Sequence, residues 1–386
     1  MVETRWLRWV GPGVVALGAV GFIASTTLGA GVRPWVPNTC VGSPPDLVAA
    51  ARERTPAAPS ELRGTPWYRL DPLLDRDGAL TGERLAVGLD GDRTVRTLDL
   101  AREAFAAGPF GAVVLVGSDD GTTSRLQALN VGSGCAWTVA DERNVIRRAT
   151  IDPTGSFMYE MRVDRVTRAD LGIWRRSVAG TDAVQRVLDS LPPDARYGRT
   201  FSTEFTWDVA GDRLAVQSCG ELACRLRVIR PGGGPVVTLD SPDLGTIVGL
   251  DGDRAVTYEA CRGLPCPIVS TDLRTGDRRL LAEAAGLAVV IPSTEGARLV
   301  HENGGGSNRS LRSVAVDGIG PHELGSLPED LRLQPSAIRA DAATDLPVGW
   351  VLLAPDGRIP VDPSTDRPQL RHVPDGSTVP LDEALR

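Results

Sequence analysis

Two cysteine pairs share one spacing, Cys219 with Cys224 in CGELAC and Cys261 with Cys266 in CRGLPC. Such a pair can do one of two things. In an oxidising compartment a hairpin of that length sets the two sulfurs opposite one another, within reach of a disulfide. In a reducing compartment two pairs can together hold zinc through four thiolates. The disulfide reading is preferred, because the amino terminus carries an export signal and the pairs fall in different repeats. Cys40 and Cys135 then remain as a third pair by elimination. Each small loop closed this way adds roughly 2 kcal/mol of stability.

Other residues with chemical potential read as structure. Asp75, Asp77 and Gly78 (DRDG) match part of a calcium loop, but Leu73 stands where a ligand oxygen is needed, so a β-turn is expected. The pairs Asp90 with Asp92 and Asp251 with Asp253 also read as turns. His301, His322 and His372 are too far apart for a histidine-built metal site. No catalytic residue, metal or cofactor is therefore assigned. The formal charge is −7 and every basic residue is Arg. An acidic chain without basic clusters argues against nucleic acid as a partner.

The elements that must position these groups begin at the amino terminus. From Trp9 to Val32 the chain is uncharged, and about 20 apolar residues span a bilayer as a helix. Arg5 and Arg8 precede it, which keeps residues 1–8 cytoplasmic and sends the rest outside. The expectation is a signal-anchor over 9–32 and a single-pass protein of the cell membrane. A cleaved signal and secretion is the alternative. Residues 33–66, with seven prolines, read as a linker or arm before the body at 67–386.

The body is repetitive. In 201–240 a strand ending on Trp207, a turn at Gly211 and a strand over Leu214–Ser218 precede the CGELAC hairpin. Strands over Arg225–Ile229 and Val236–Leu239 then flank a Gly-rich turn at Gly232–Gly234. Four antiparallel strands in that length make one propeller blade. The turn glycines Gly155, Gly211, Gly252 and Gly296 recur at blade-length intervals, and VGLDGDR stands at both Val87–Arg93 and Val248–Arg254. The expected architecture is all-β: a six-bladed propeller, alternatively seven-bladed, preceded by one transmembrane helix. Residues 67–100 and 331–381 are expected to share a composite blade that closes the ring.

The units FTWDVAGDRLAVQS, TIDPTGSFMYEMRV and IPSTEGARLVHEN resemble the repeat of TolB-type propellers, in which a Ser-Pro-Asp-Gly-like turn precedes an apolar strand. The resemblance implies an extracytoplasmic, non-enzymatic propeller that meets protein partners through the ends of its ring. A prolyl-oligopeptidase-like hydrolase would need a Gly-x-Ser-x-Gly elbow, which the chain lacks, and an α/β domain. Ser118–Gly121 (SDDG) approaches a sialidase-type Asp box with the wrong spacing. Trp174, Arg175, Arg176, Arg225 and Arg227 lie on strands where they can line a mouth of the ring and bind an acidic protein or peptide. The function expected is a membrane-anchored binding or assembly module. The alternative is a secreted hydrolase of glycosides or peptidoglycan, its carboxylates drawn from different blades into the central funnel.

Overall fold

The computed structural model describes residues 66–89, 96–101, 104–178, 183–190, 202–219, 224–261, 263–304, 308–333, 342–344, 348–355 and 369–380. The expected membrane helix at 9–32, the residues before it and almost all of the arm lie outside them. Among the described residues every regular element is a β-strand, and no helix is long and apolar enough to cross a membrane.

The chain folds into a β-propeller. The first sheet holds β1 (Pro66–Leu74), β2 (Leu80–Leu89) and β3 (Arg96–Ala101). The second runs β4 (Phe105–Phe110), β5 (Val113–Asp119), β6 (Ser124–Asn130) and β7 (Ala136–Glu142), and the third β8 (Val145–Ile151), β9 (Phe157–Val163), β10 (Asp170–Ser177) and β11 (Gln185–Leu188). The fourth, β12 (Ser202–Trp207), β13 (Leu214–Cys219), β14 (Cys224–Ile229) and β15 (Val237–Asp240), matches the strands read from the sequence to within two residues. Next come β16 (Leu244–Asp251), β17 (Arg254–Glu259), β18 (Cys266–Asp272), β19 (Arg278–Ile291), β20 (Arg298–Asn303), β21 (Ser310–Ala315) and β22 (His322–Ser326) in one seven-stranded sheet. The last strands are β23 (Leu331–Leu333), β24 (Ala342–Thr344), β25 (Trp350–Pro355), β26 (Gln369–His372) and β27 (Thr378–Pro380).

Two expectations are corrected here. Among the described residues five separate four-stranded blades are present, not six or seven, and the seven-stranded sheet accounts for the difference. Its cause is β19. β19 runs unbroken through LAEAAGL, because Gly286 stays within the strand and takes no positive φ. The first half of β19 pairs with β18 and the second with β20, so one strand serves both neighbours. The carboxy-terminal segment, in turn, is not merely half of a composite blade. β23, β25, β26 and β27 form their own sheet, and only β24 crosses to pair with β1, through Trp67↔Thr344, Tyr68↔Ala343 and Arg69↔Ala342.

The turn glycines behave as the repeat requires. Gly211 takes φ 77°, a left-handed conformation that disfavours any side chain, and Asp208 Oδ1 accepts its N–H. Gly155, Gly252 and Gly296 are left-handed too, at 69°, 54° and 106°. Since strand direction alternates, turns fall on two faces of the ring. On the glycine-turn face Pro153 packs beside Gly211, and Arg213 reaches the Gly252 carbonyl. The opposite, hairpin face carries the β5–β6, β9–β10, β13–β14 and β17–β18 connections, where Arg165 of one hairpin binds Asp119 of another at 2.7 Å.

Apolar clusters fill the seams between sheets. Val145, Tyr159, Met161 and Ile173 of the third sheet pack on Leu214, Val216 and Ile229 of the fourth. The innermost strands keep a backbone edge without a full ladder partner, and buried side chains satisfy parts of it. Ser124 Oγ accepts Ile146 N–H at 3.0 Å; Gln217 accepts Ile247 N–H at 2.8 Å and donates to Gly245 O at 2.7 Å; Glu302 Oε1 accepts Leu333 N–H at 2.8 Å. Each joins one four-strand unit to the first strand of the next.

Gly249 brings inner strands together: a Cβ there would lie 2.4 Å from Cβ of Val290. Gly249→Ala is expected to lower stability by about 1–3 kcal/mol through overpacking, read by urea denaturation. His301 is buried, with Nδ1 3.1 Å from Glu302 O, and burial lowers its pKa below 6.5. A depressed folded value contributes stability above the unfolded pKa and loses it as pH falls through the folded one. Denaturation midpoints should drop below about pH 6.5, and His301→Phe should flatten that part of the profile.

Candidate functional site

The inner strands surround a central cavity of about 820 Å³. β12 contributes Phe205 and Trp207, β16 Ile247 and Val248, and β19 Leu287 and Val290, while Phe110 and Thr150 enter from β4 and β8. Along β16 the register shifts between Leu244 and Ile247 and between Ile247 and Gly249, so neighbouring residues border this space together. Its base is pinched between β12 and β16. There Asp208 and Leu250 form a parallel bridge, Val209 N–H donates to Leu250 O at 3.0 Å, and Asp208 Oδ2 accepts Gly252 N–H at 3.1 Å. Burial holds the Asp208 carboxyl above the usual carboxylate range.

The mouth lies on the hairpin face, edged by the two cysteine loops. Cys224, Cys261, Gly263, Leu264 and Cys266 all belong to the lining. Both disulfides form, Cys219–Cys224 and Cys261–Cys266. Only the first joins directly opposed strand residues, with Cα atoms 4.0 Å apart. Cys261 lies beyond the end of β17, so the second closes a loop instead of a ladder rung. Cys135 is disulfide-bonded as well, while Cys40 lies outside the described residues.

Three polar side chains of the lining are engaged. Trp207 Nε1 donates to Thr150 Oγ1 at 2.9 Å, and the Tyr258 hydroxyl to Gly286 O at 2.7 Å. Burial pushes the Tyr258 hydroxyl well above the normal phenol range. Two carboxylates line the wall, Glu204 and Glu259. Glu204 lies 3.5 Å from Arg148, and Glu259 accepts from Arg278 at 2.8 Å. No His or Asp is among the described lining residues. No cluster of three metal-ligating side chains occurs among the described residues, and Asp75 caps its own turn by accepting from Asp77 and Ala79 N–H.

The five rim residues read from the sequence do not converge on this mouth. Arg176 is buried in a four-member ion cluster across the seam of the second and third sheets. It donates to Glu160 Oε1 at 2.9 and 3.2 Å and to Glu142, and Arg162 donates to the same two carboxylates. Burial pulls the Arg176 guanidinium down, but Glu160 and Glu142 together hold it above its ordinary value. Trp174 lies under Arg162, 4.6 Å from its guanidinium carbon, with Nε1 bound to Leu171 O. Arg175 covers Phe157 and donates to Pro231 O and Gln185. Arg225 pairs with Asp240 at 2.7 Å. Arg227 is buried between the third and fourth sheets, where Nη1 donates to Asp189 O; burial lowers its pKa, and Nε and Nη2 have no partner. Sequence reasoning missed the cavity residues, because they come from strands far apart in the chain and their shared destination is set only by ring closure. Trp207, read as the end of a strand, was the nearest signal.

No protein-family model matches the chain and no curated protein matches it. Solved structures do. The β-propeller domain of the trilobed protease from Pyrococcus furiosus, described as having an open velcro topology, aligns with TM-score 0.52 at 9% identity, covering 84% of this chain and 96% of that one. A prolyl endopeptidase aligns with TM-score 0.55 at 13% identity over 98% of this chain and 55% of its own. TolB from Acinetobacter baumannii aligns with TM-score 0.42 at 14% identity over 73% of this chain and 66% of its own. The chain thus spans about two thirds of TolB and about half of the prolyl endopeptidase. What is shared at these identities is the propeller fold.

Removing one member of the ion cluster leaves buried charge uncompensated. Arg176→Ala is expected to cost about 3–5 kcal/mol in stability, whereas Arg175→Ala, at a partly exposed position, should cost about 1 kcal/mol or less. Thermal denaturation of the two variants separates these outcomes.

Proposed function

We propose that this protein is a non-enzymatic binding or assembly module of the extracytoplasmic space, held to the membrane by its amino-terminal segment, and that a protein or peptide partner enters the central cavity. The observation that carries this reading is the cavity wall. Its volume falls within the roughly 300–1,000 Å³ typical of ligand sites, and it offers aromatic and aliphatic surface on which the Trp207, Thr150 and Tyr258 hydrogen-bonding groups are already satisfied. Such a wall gains free energy by covering apolar groups and has little to offer a reaction that must move a proton. The cysteine loops support an oxidising compartment. The uncharged stretch at 9–32 supports the anchor.

The hydrolase reading retains one observation in its favour: Glu204 and Glu259 both belong to the lining. Glycoside hydrolysis needs one carboxyl kept protonated and the other ionised. In this wall Glu204 instead faces Arg148 at 3.5 Å and Glu259 accepts from Arg278 at 2.8 Å, so both are held by arginine cations.

Affinity capture from membranes, with the cysteines left oxidised, tests the two readings together. Wild type should retain a partner that Phe205→Ala binds about 10- to 30-fold more weakly, the usual loss at a central aromatic contact, while Glu204→Gln and Glu259→Gln bind as wild type. Glycan-hydrolysing activity that disappears in both glutamine variants would overturn the module reading.

A further inference from the structure

The two disulfide loops share one spacing but not one setting. Cys219 and Cys224 are themselves a rung of the β13–β14 ladder, which runs without a shift from Leu214↔Ile229 to Cys219↔Cys224, so backbone pairing holds that hairpin to its tip whether or not the sulfurs are joined. The last rung between β17 and β18 is Tyr258↔Ile268, and residues 259–267 lie beyond it. One end of this span is fixed, because Cys266 is 2% exposed and pairs with Ala285 of β19. The other is held at Ala260, whose N–H donates to Asp243 O at 2.9 Å. Between them Cys261, Gly263 and Leu264 are exposed, and among the described residues no backbone hydrogen bond holds this stretch. The disulfide folds it back, with Gly263 O 3.5 Å from Cys261 Sγ and 3.3 Å from Cys266 Sγ. These same residues border the cavity mouth, where Leu264 is 49% exposed.

We propose that Cys261–Cys266 is a redox-sensitive latch on the lip of the cavity, and that Cys219–Cys224, of identical spacing, is not. A thiolate of a dithiol reductant attacks the exposed Cys261 Sγ; the S–S bond breaks, and Cys266 leaves as a thiolate that takes up a proton. The reductant's second thiol then attacks the mixed disulfide, which frees Cys261 as a thiol and leaves the reductant as its own disulfide, so two electrons and two protons pass to the protein. With the bond open, the stretch from Cys261 to Pro265 loses the link that folds it back, and Leu264 is no longer held at the mouth. Reoxidation resets it. Opening Cys219–Cys224 leaves the six rungs of β13 and β14 in place. That the lip matters to an occupant rests on the binding reading above; the latch itself does not.

Each loop carries its own protease site, Arg262 for trypsin and Glu221 for a glutamyl endopeptidase. In the full chain, Cys261→Ser/Cys266→Ser should be cut after Arg262 about tenfold faster than wild type under native conditions, because cleavage follows the population of the opened loop. Cys219→Ser/Cys224→Ser should be cut after Glu221 at a rate within about twofold of wild type. Graded dithiothreitol on the wild type, with iodoacetamide trapping and peptide mapping, makes the same comparison without substitution. Cys261 and Cys266 should be alkylated before Cys219 and Cys224, since Cys261 is exposed and the latter two are half-buried. Equal loosening of the two loops, an unchanged cut after Arg262, or earlier alkylation of Cys219 and Cys224 would overturn the latch. The apolar fluorophore N-phenyl-1-naphthylamine reads the mouth, and Cys261→Ser/Cys266→Ser should bind it about threefold more weakly than wild type through lost apolar contact. Faster cutting with unchanged dye affinity would overturn the lip's role at the cavity. Dye affinity unaltered by Phe205→Ala removes the binding reading and leaves the latch standing on the proteolysis.

Discussion

Every blade of a propeller begins with a strand that has a neighbour on one side only. The exposed backbone edge of that strand is the constraint on which the rest of this molecule depends, since unpaired N–H and C=O groups near the axis are costly unless something bonds to them. The protein meets it with side chains borrowed from the adjoining sheet. Ser124, Gln217 and Glu302 occupy comparable seams and each binds a backbone amide of the strand ahead. Because the donor and the acceptor belong to different sheets, these contacts also set the spacing and tilt of the wedges. A cavity whose wall is assembled from strands of several sheets depends on that spacing, and its shape is thus fixed by groups that never touch its contents.

Charge has been placed with the same economy. An arginine-only basic set has no compact ammonium to hold, but its planar forks suit carboxylates and carbonyl oxygens. Arg162 and Arg176 against Glu142 and Glu160 bring two positive and two negative groups into one buried cluster. Elsewhere Arg309 and Arg371 cap carbonyl oxygens at the seam between the last sheet and its neighbour. Of the arginines that look suited to a partner when read along the strand, Arg176 and Arg227 are instead buried at seams between sheets, and Arg225 pairs with Asp240 within its own sheet.

Much of the fold was legible in the sequence. The strands of 201–240, the left-handed turn glycines and the paired cysteines are local features, decided by residues close to each other along the chain, and the structure has them where they were expected. What failed were judgements that depend on an absence of local signal. LAEAAGL has neither proline nor a left-handed glycine, so nothing stops β19 and two sheets run together. Ala342–Thr344 is too short and plain to announce a strand, yet it supplies the pairing that joins the two ends of the chain. The candidate site was less legible still, because neither the seam cluster around Glu160 nor the meeting of Phe205, Ile247 and Val290 has any counterpart in linear spacing.

The shared strand has a mechanical consequence. Sheets joined through one continuous backbone cannot pivot against each other without stretching that backbone, so β16–β22 moves as a stiff arc comprising a large part of the circumference. Compliance must concentrate elsewhere, and among the described residues the contacts of β24 with β1 and of β23 with β25 are three residue pairs long. A pull or twist applied to the ring would be taken up at such short zips, in the manner of a bracelet whose clasp yields before its links.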